Sequence, residues 1–70
     1  MLFEEIFKEE GLYKVCGTTN GVGYKIKKED DKFCLYTTMW HIDTKKEIVP
    51  THTKTLVNDT MFNQNYEKVI

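Results

Sequence analysis

No arginine, alanine or serine occurs in this 70-residue chain, and proline occurs only once. The absence of serine excludes a serine-based catalytic triad outright. No apolar run approaches the roughly 20 residues that a membrane-spanning helix needs. The opening residues, Met1-Leu2-Phe3-Glu4-Glu5, lack the basic stretch that begins a secretory signal. Cytoplasmic residence without membrane attachment is therefore the expectation. Cysteine is sparse as well. Cys16 and Cys34 are the only two, and in a reducing compartment both are expected to be free thiols.

What is present describes a foldable globular chain. Apolar residues make up 40% and aromatic residues 13%, and large rings supply much buried area per residue. Charged residues make up 30%, mixed in sign, with a formal net charge of −1. That balance argues against a dedicated phosphate-tracking protein, though not against a local basic patch. The length allows one domain, residues 1–70, with a thin stability margin. Phe, Tyr, Met, Ile, Asn and Lys, whose codons are AT-rich, dominate the composition, while Gly, Ala, Arg and Pro are scarce. This is the coding signature of a low-GC genome, such as that of a low-GC bacterium or its phages.

Hydrophobic periodicity predicts a mainly β (α+β) fold: a small antiparallel meander of four or five strands with a short N-terminal helix. Residues 2–10 read as the helix, with Leu2/Ile6 and Phe3/Phe7 at i,i+4 forming one apolar stripe. Glu4 and Glu5 suit its positive end, Glu9 and Glu10 do not suit the other, and Gly11 is a natural stop. Residues 12–17 read as strand 1, followed by Thr19-Asn20-Gly21, a strong hairpin signal. Strand 2 runs over about 22–28, where Val22, Tyr24 and Ile26 alternate with Gly23, Lys25 and Lys27. Gly23 allows either a bulge or close contact with a covering aromatic. Glu29-Asp30-Asp31-Lys32 is a polar turn.

Strand 3, about 33–40, is apolar on both faces and reads as the central strand. Strand 4, about 47–52, carries Pro50, which marks an edge or a strand end. Asn58-Asp59-Thr60 is cap-like and starts a helical turn over 61–65. Residues 66–70 close the chain as a strand. An SH3-like barrel and a curled open sheet both accommodate this order.

The turn centres also predict register. Closing strands 2 and 3 around Asp30-Asp31 sets Val22 opposite Met39, Tyr24 opposite Thr37, Ile26 opposite Leu35 and Lys28 opposite Phe33, on an inner face. Lys25 opposes Tyr36 and Lys27 opposes Cys34 on the outer face. Closing strands 3 and 4 around Thr44-Lys45 places Trp40 opposite Val49 on that outer face. A short helix needs a dock, so the outer face is expected to lie beneath Leu2, Phe3, Ile6 and Phe7. The alternative is an exposed aromatic-and-lysine surface, in which a half-covered Trp40 anchors an interface.

No chemistry-bearing constellation emerges. Cys16, Cys34, His41 and His52 lack any Cys-x2-Cys or His-x3-His element, so no metal or other cofactor is expected. Cys16 and Cys34 fall on strands separated by strand 2, too far apart for a disulfide. No oriented nucleophile pair is recognisable, so the chain reads as a non-enzyme. The glycines at 17, 21 and 23 lie inside a hairpin and not before a helix, unlike a phosphate loop. Tyr36, Trp40, Lys25 and Lys27, with the acidic turn Glu29, Asp30 and Asp31, form the candidate partner-binding set. Glu4, Glu5, Glu9 and Glu10 add a second acidic patch.

The C-terminal phrase, with Phe62 followed by Asn65-Tyr66-Glu67-Lys68-Val69, resembles the tail of small accessory proteins from phages of low-GC bacteria. The resemblance carries no catalytic residue and implies a mobile-element origin. Together these readings point to a small protein-binding module that inhibits or modulates a host enzyme or defence complex by occlusion. The alternatives are an SH3-like or OB-like nucleic-acid-binding module using Tyr24, Lys25, Lys27 and Tyr36, and a structural or oligomeric phage protein.

Overall fold

The computed structural model describes residues 1–48 and 53–70. A short helix, α1 (Phe3–Ile6), precedes β1 (Gly11–Val15), β2 (Val22–Glu29), β3 (Lys32–Met39), β4 (Thr53–Lys54) and, after a 3-10 helix at Asp59–Asn63, β5 (Tyr66–Lys68). The strands form one antiparallel sheet in the order β4-β3-β2-β1-β5. β4 and β5 occupy opposite edges, so the sheet is open, and the curled-sheet alternative describes the fold where the barrel does not. The centre of the sheet is β2 and not β3. The meander places β5 beyond β1, which shifts the middle by one strand.

The β2–β3 hairpin has the expected register at every pair, from Val22↔Met39 through Ile26↔Leu35 to Glu29↔Lys32. Its tip, Asp30-Asp31, has both residues at positive φ (50° and 64°). That is the type I′ arrangement whose twist matches the flanking strands. The β1–β2 connection is longer than Asn20-Gly21 alone suggests. Residues 16–21 all lie between the strands, with Gly17 and Gly21 at φ 85° and 69°. The Asn20 carboxamide oxygen accepts from the Val22 backbone N–H at 3.2 Å, an Asx turn that re-aims the chain into β2.

α1 is a single turn, much shorter than residues 2–10. The Glu5 carboxylate accepts from the Leu2 backbone N–H at 2.7 Å, half of a capping box. The helix stops at Ile6, and Gly11 begins β1 instead of ending the helix. Glu9 and Glu10 at the negative end of a longer helix would be unfavourable. The chain instead turns through 7–10 and folds back along the sheet.

That return sets the docking face. α1 covers the inner face and not the outer one: Phe3 and Ile6 join Tyr13, Ile26, Leu35, Met61 and Tyr66 in one buried cluster. Tyr13 carries the reason. It pairs with Tyr24 and so points to the inner side. Its hydroxyl donates to the Glu9 carbonyl at 2.9 Å, drawing the 7–10 turn to that side. The 3-10 helix joins α1 in the same layer. The Asn58 side chain caps it by accepting from the Met61 backbone N–H at 3.3 Å. Phe62 packs edge-on to Phe3 at 5.2 Å and Tyr66 meets Phe3 at 6.0 Å. The Tyr66 hydroxyl, buried, donates to the Met61 carbonyl at 3.0 Å, satisfying a group that would otherwise be costly there.

Candidate functional site

The outer face, residue by residue, brings together Lys14 from β1, Gly23, Lys25, Lys27 and Glu29 from β2, and Cys34, Tyr36 and Thr38 from β3. Lys54 from β4 lies opposite Tyr36, and Glu67 from β5 lies opposite Lys14. Among the described residues no helix covers this face. Residues 41–47 fold over part of it instead.

Trp40 is the keystone of that cover. It is only 6% exposed, and its indole lies across Gly23: a Cβ built on Gly23 would sit 2.6 Å from the ring. Its partner across the turn is Glu47. The turn therefore closes earlier than Thr44-Lys45 implies, with the His41 N–H donating to the Lys46 carbonyl at 2.8 Å. Val49, Pro50 and His52, on which the expected course of strand 4 rests, lie outside the described residues. Glu47 is held from two sides. Lys25 Nζ lies 2.9 Å from one carboxylate oxygen, and the fully buried Thr38 hydroxyl donates to the other at 3.1 Å. This network fixes the 41–47 cover to β2 and β3. Between the cover and the sheet lies a cleft of about 230 Å³ lined by Lys14, Trp40, Ile42, Lys45 and Glu67 among others.

The remaining candidate residues sit beyond the cover. Tyr36 is half-buried, and its hydroxyl donates to Glu29 Oε1 at 2.8 Å. That hydrogen bond holds the Glu29 carboxyl below its ordinary range and pushes the Tyr36 phenol above its own. Lys27 Nζ is 3.7 Å from the same carboxylate. Asp30 and Asp31 are exposed at the tip of the hairpin. Tyr36, Lys25, Lys27 and Glu29 thus share one face. Trp40 belongs to the interior beneath the 41–47 cover. Tyr24 is on the opposite face, against Tyr66 at 6.1 Å. Cys16 and Cys34 are free thiols on either side of β2. Among the described residues no group of three His, Cys, Asp or Glu side chains is arranged to hold a metal ion. No helix among them is long and apolar enough to cross a membrane.

Charge is segregated by side, a property invisible in the net value. The outer side with its 41–47 cover carries seven of the ten lysines against four carboxylates, Glu29, Asp43, Glu47 and Glu67. Three of those carboxylates are ion-paired to Lys27, Lys25 and Lys14. The opposite side carries Lys8, Lys28 and Lys68 against Glu4, Glu5, Glu9, Glu10 and Asp59, with Lys68 bound to Glu9 at 2.7 Å. Sequence order hides this division because strand alternation sends neighbouring lysines to different faces: Lys27 goes outward, and Lys28 goes inward over the Phe33 ring at 5.7 Å. No family model, no curated protein and no solved structure matches the chain.

Proposed function

We propose that the chain is a small non-catalytic module that binds another protein and acts by covering part of its surface. The observation that carries this reading is the separation of charge onto two sides of one rigid sheet. Such a distribution orients an approaching partner and discriminates among partners, because a docked face must meet potential of the opposite sign. The AT-rich codon usage and the C-terminal phrase Asn65-Tyr66-Glu67-Lys68-Val69 support an origin in a phage or mobile element of a low-GC bacterium. On that reading the partner is a cytoplasmic host enzyme or defence complex. The test is affinity capture with the intact chain from a low-GC bacterial lysate, repeated at rising salt. Recovery of one host protein in stable stoichiometry, weakening as salt screens the contact, is the expected result. Recovery of nothing above background overturns the reading.

A second reading is favoured by one specific observation, the concentration of lysines around Tyr36 on the outer side. Single-stranded nucleic acid is held by such pairings of aromatic faces and cations. A fluorescence titration with short DNA and RNA at low salt decides between the two. Micromolar binding with a steep salt dependence supports the nucleic-acid reading, and no saturable change supports protein recognition.

A further inference from the structure

Of the candidate residues read from sequence, Tyr36, Lys25, Lys27 and Glu29 share the outer face, whereas most of the exposed apolar side chains lie elsewhere. Among the described residues nine large hydrophobic side chains are exposed: Met1, Leu2, Val22, Met39, Ile42, Leu56, Val57, Phe62 and Ile70. Five of them, Met1, Leu2, Leu56, Val57 and Phe62, belong to the layer that lies over the inner face: α1, the 3-10 helix and the segment leading into it. Leu56 is the extreme case at 88% exposure. Phe62 is 43% exposed while its edge rests on Phe3, so a rigid aromatic is presented on a fixed support. The Met1 backbone is tied in turn to Tyr66 by two hydrogen bonds of 2.7 and 2.6 Å. The same layer carries Glu4, Glu5 and Asp59, with Glu9 and Glu10 in the turn that follows α1, against Lys8 and the Met1 ammonium, and Glu9 is bound by Lys68. Exposed apolar side chains on a supported layer that also carries an excess of carboxylates have the composition of a recognition patch.

Resting on the reading of the chain as a protein-binding module, we infer that this layer is its docking face. Its partner is a basic protein surface of the lysine- or arginine-rich kind that proteins present to nucleic acid. Phe62 and Leu56 supply the desolvated centre, and Glu4, Glu5 and Glu10 supply the complementary rim. An anionic lipid surface is disfavoured, because the rim repels it. Binding in this orientation places a negative, apolar cap on a groove that otherwise accepts phosphate, which is occlusion by charge and shape together.

The test uses the full chain with the photoreactive residue p-benzoylphenylalanine placed at Phe62 in one sample and at Tyr36 in another. Each is irradiated in a low-GC bacterial lysate. The expected result is a protein adduct from position 62 that heparin or duplex DNA competes away. Its yield should fall ~10-fold in the exposed double variant Glu4→Lys, Glu10→Lys, as expected for loss of electrostatic steering. Those two positions are solvent-facing, and circular dichroism verifies that the variant folds. An adduct from position 36 alone overturns this inference and leaves the protein-binding reading intact. So does an adduct at 62 that heparin leaves untouched, or one made of a second copy of the chain. Absence of protein adducts at both positions removes the inference and the underlying reading together.

Discussion

The Trp40 indole rests directly on Gly23, and the absence of a side chain at 23 is what lets the ring lie against the sheet. A Cβ at this position would approach the ring at 2.6 Å and the Tyr13 carbonyl oxygen more closely still. Gly23 lies within β2 at ordinary strand geometry, so the requirement is one of space and not of backbone conformation. Gly23→Ala must therefore displace Trp40 or separate β1 from β2. The expected cost is about 3 kcal/mol, the upper range for overpacking a close-packed site, with a red-shifted tryptophan emission as the ring meets water. Urea unfolding of the variant checks it. A loss under about 0.5 kcal/mol, the range of a neutral surface change, refutes this packing.

Glu47 offers a second test, because it serves two partners at once. Glu47→Ala leaves the buried Thr38 hydroxyl without its acceptor and frees Lys25. An unsatisfied buried donor costs about 1–3 kcal/mol, and the 41–47 cover loosens with it. Thr38→Val removes the donor with little change of shape and is expected to cost less. In the double variant the two losses combine sub-additively, which a double-mutant cycle measures directly. Strict additivity would show that the Thr38–Glu47 hydrogen bond carries no coupling.

The hairpin tip invites a gain of stability. Asp30 and Asp31 both occupy the left-handed region, which Asp tolerates but Gly enters without steric cost. Asp31→Gly keeps the type I′ geometry and removes that cost, so stability is expected to rise by about 0.5–1 kcal/mol. Thermal unfolding followed by circular dichroism reads this as a higher midpoint. A lower midpoint means the Asp31 side chain contributes something the backbone does not reveal.

Stability should also fall at both pH extremes, for identifiable reasons. Burial raises the Tyr13 and Tyr66 phenols above their ordinary value of 10.0. The hydrogen bond to Glu29 does the same for Tyr36. A raised phenol keeps its proton in the folded state after the unfolded state has lost it. Its contribution is therefore complete below the ordinary value and disappears as pH climbs through the raised one. Glu29 is the reverse case. Its carboxyl is lowered chiefly by the Tyr36 hydrogen bond, so its contribution is present above the ordinary value of 4.5 and is lost as pH drops through the lowered one. Tyr36→Phe should shrink the Glu29 effect, leaving the smaller part due to Cys34, Lys27 and Lys54, and should leave the alkaline limb set by Tyr13 and Tyr66. Denaturation midpoints across pH, alongside tyrosinate absorbance, separate the two limbs.

The β2–β3 hairpin was fully legible because every determinant is local: alternating side chains on both sides of one polar turn. The 3-10 helix was legible for the same reason, through Asn58. Other features depend on distant partners. The docking side of α1 hangs on Tyr13, whose direction follows from pairing with β2 and not from its own neighbours. The partner of Trp40 hangs on how residues 41–46 turn, and their polar composition is compatible with several closures. The division of charge between the two sides becomes visible only after Lys27 and Lys28 are known to part, and after the 41–47 segment is seen to add Lys45 and Lys46 to the outer side.

The two ends of the sheet carry a further consequence. β4 offers two residues and β5 three, and the Met1 backbone already occupies the outward-facing groups of Tyr66. Among the described residues, a neighbouring molecule seeking to extend the ladder finds few open rungs along β4 and β5. Concentrating the protein should therefore not seed fibrils, despite so much strand in so short a chain. Assembly is expected to draw on side chains more than on these short borders.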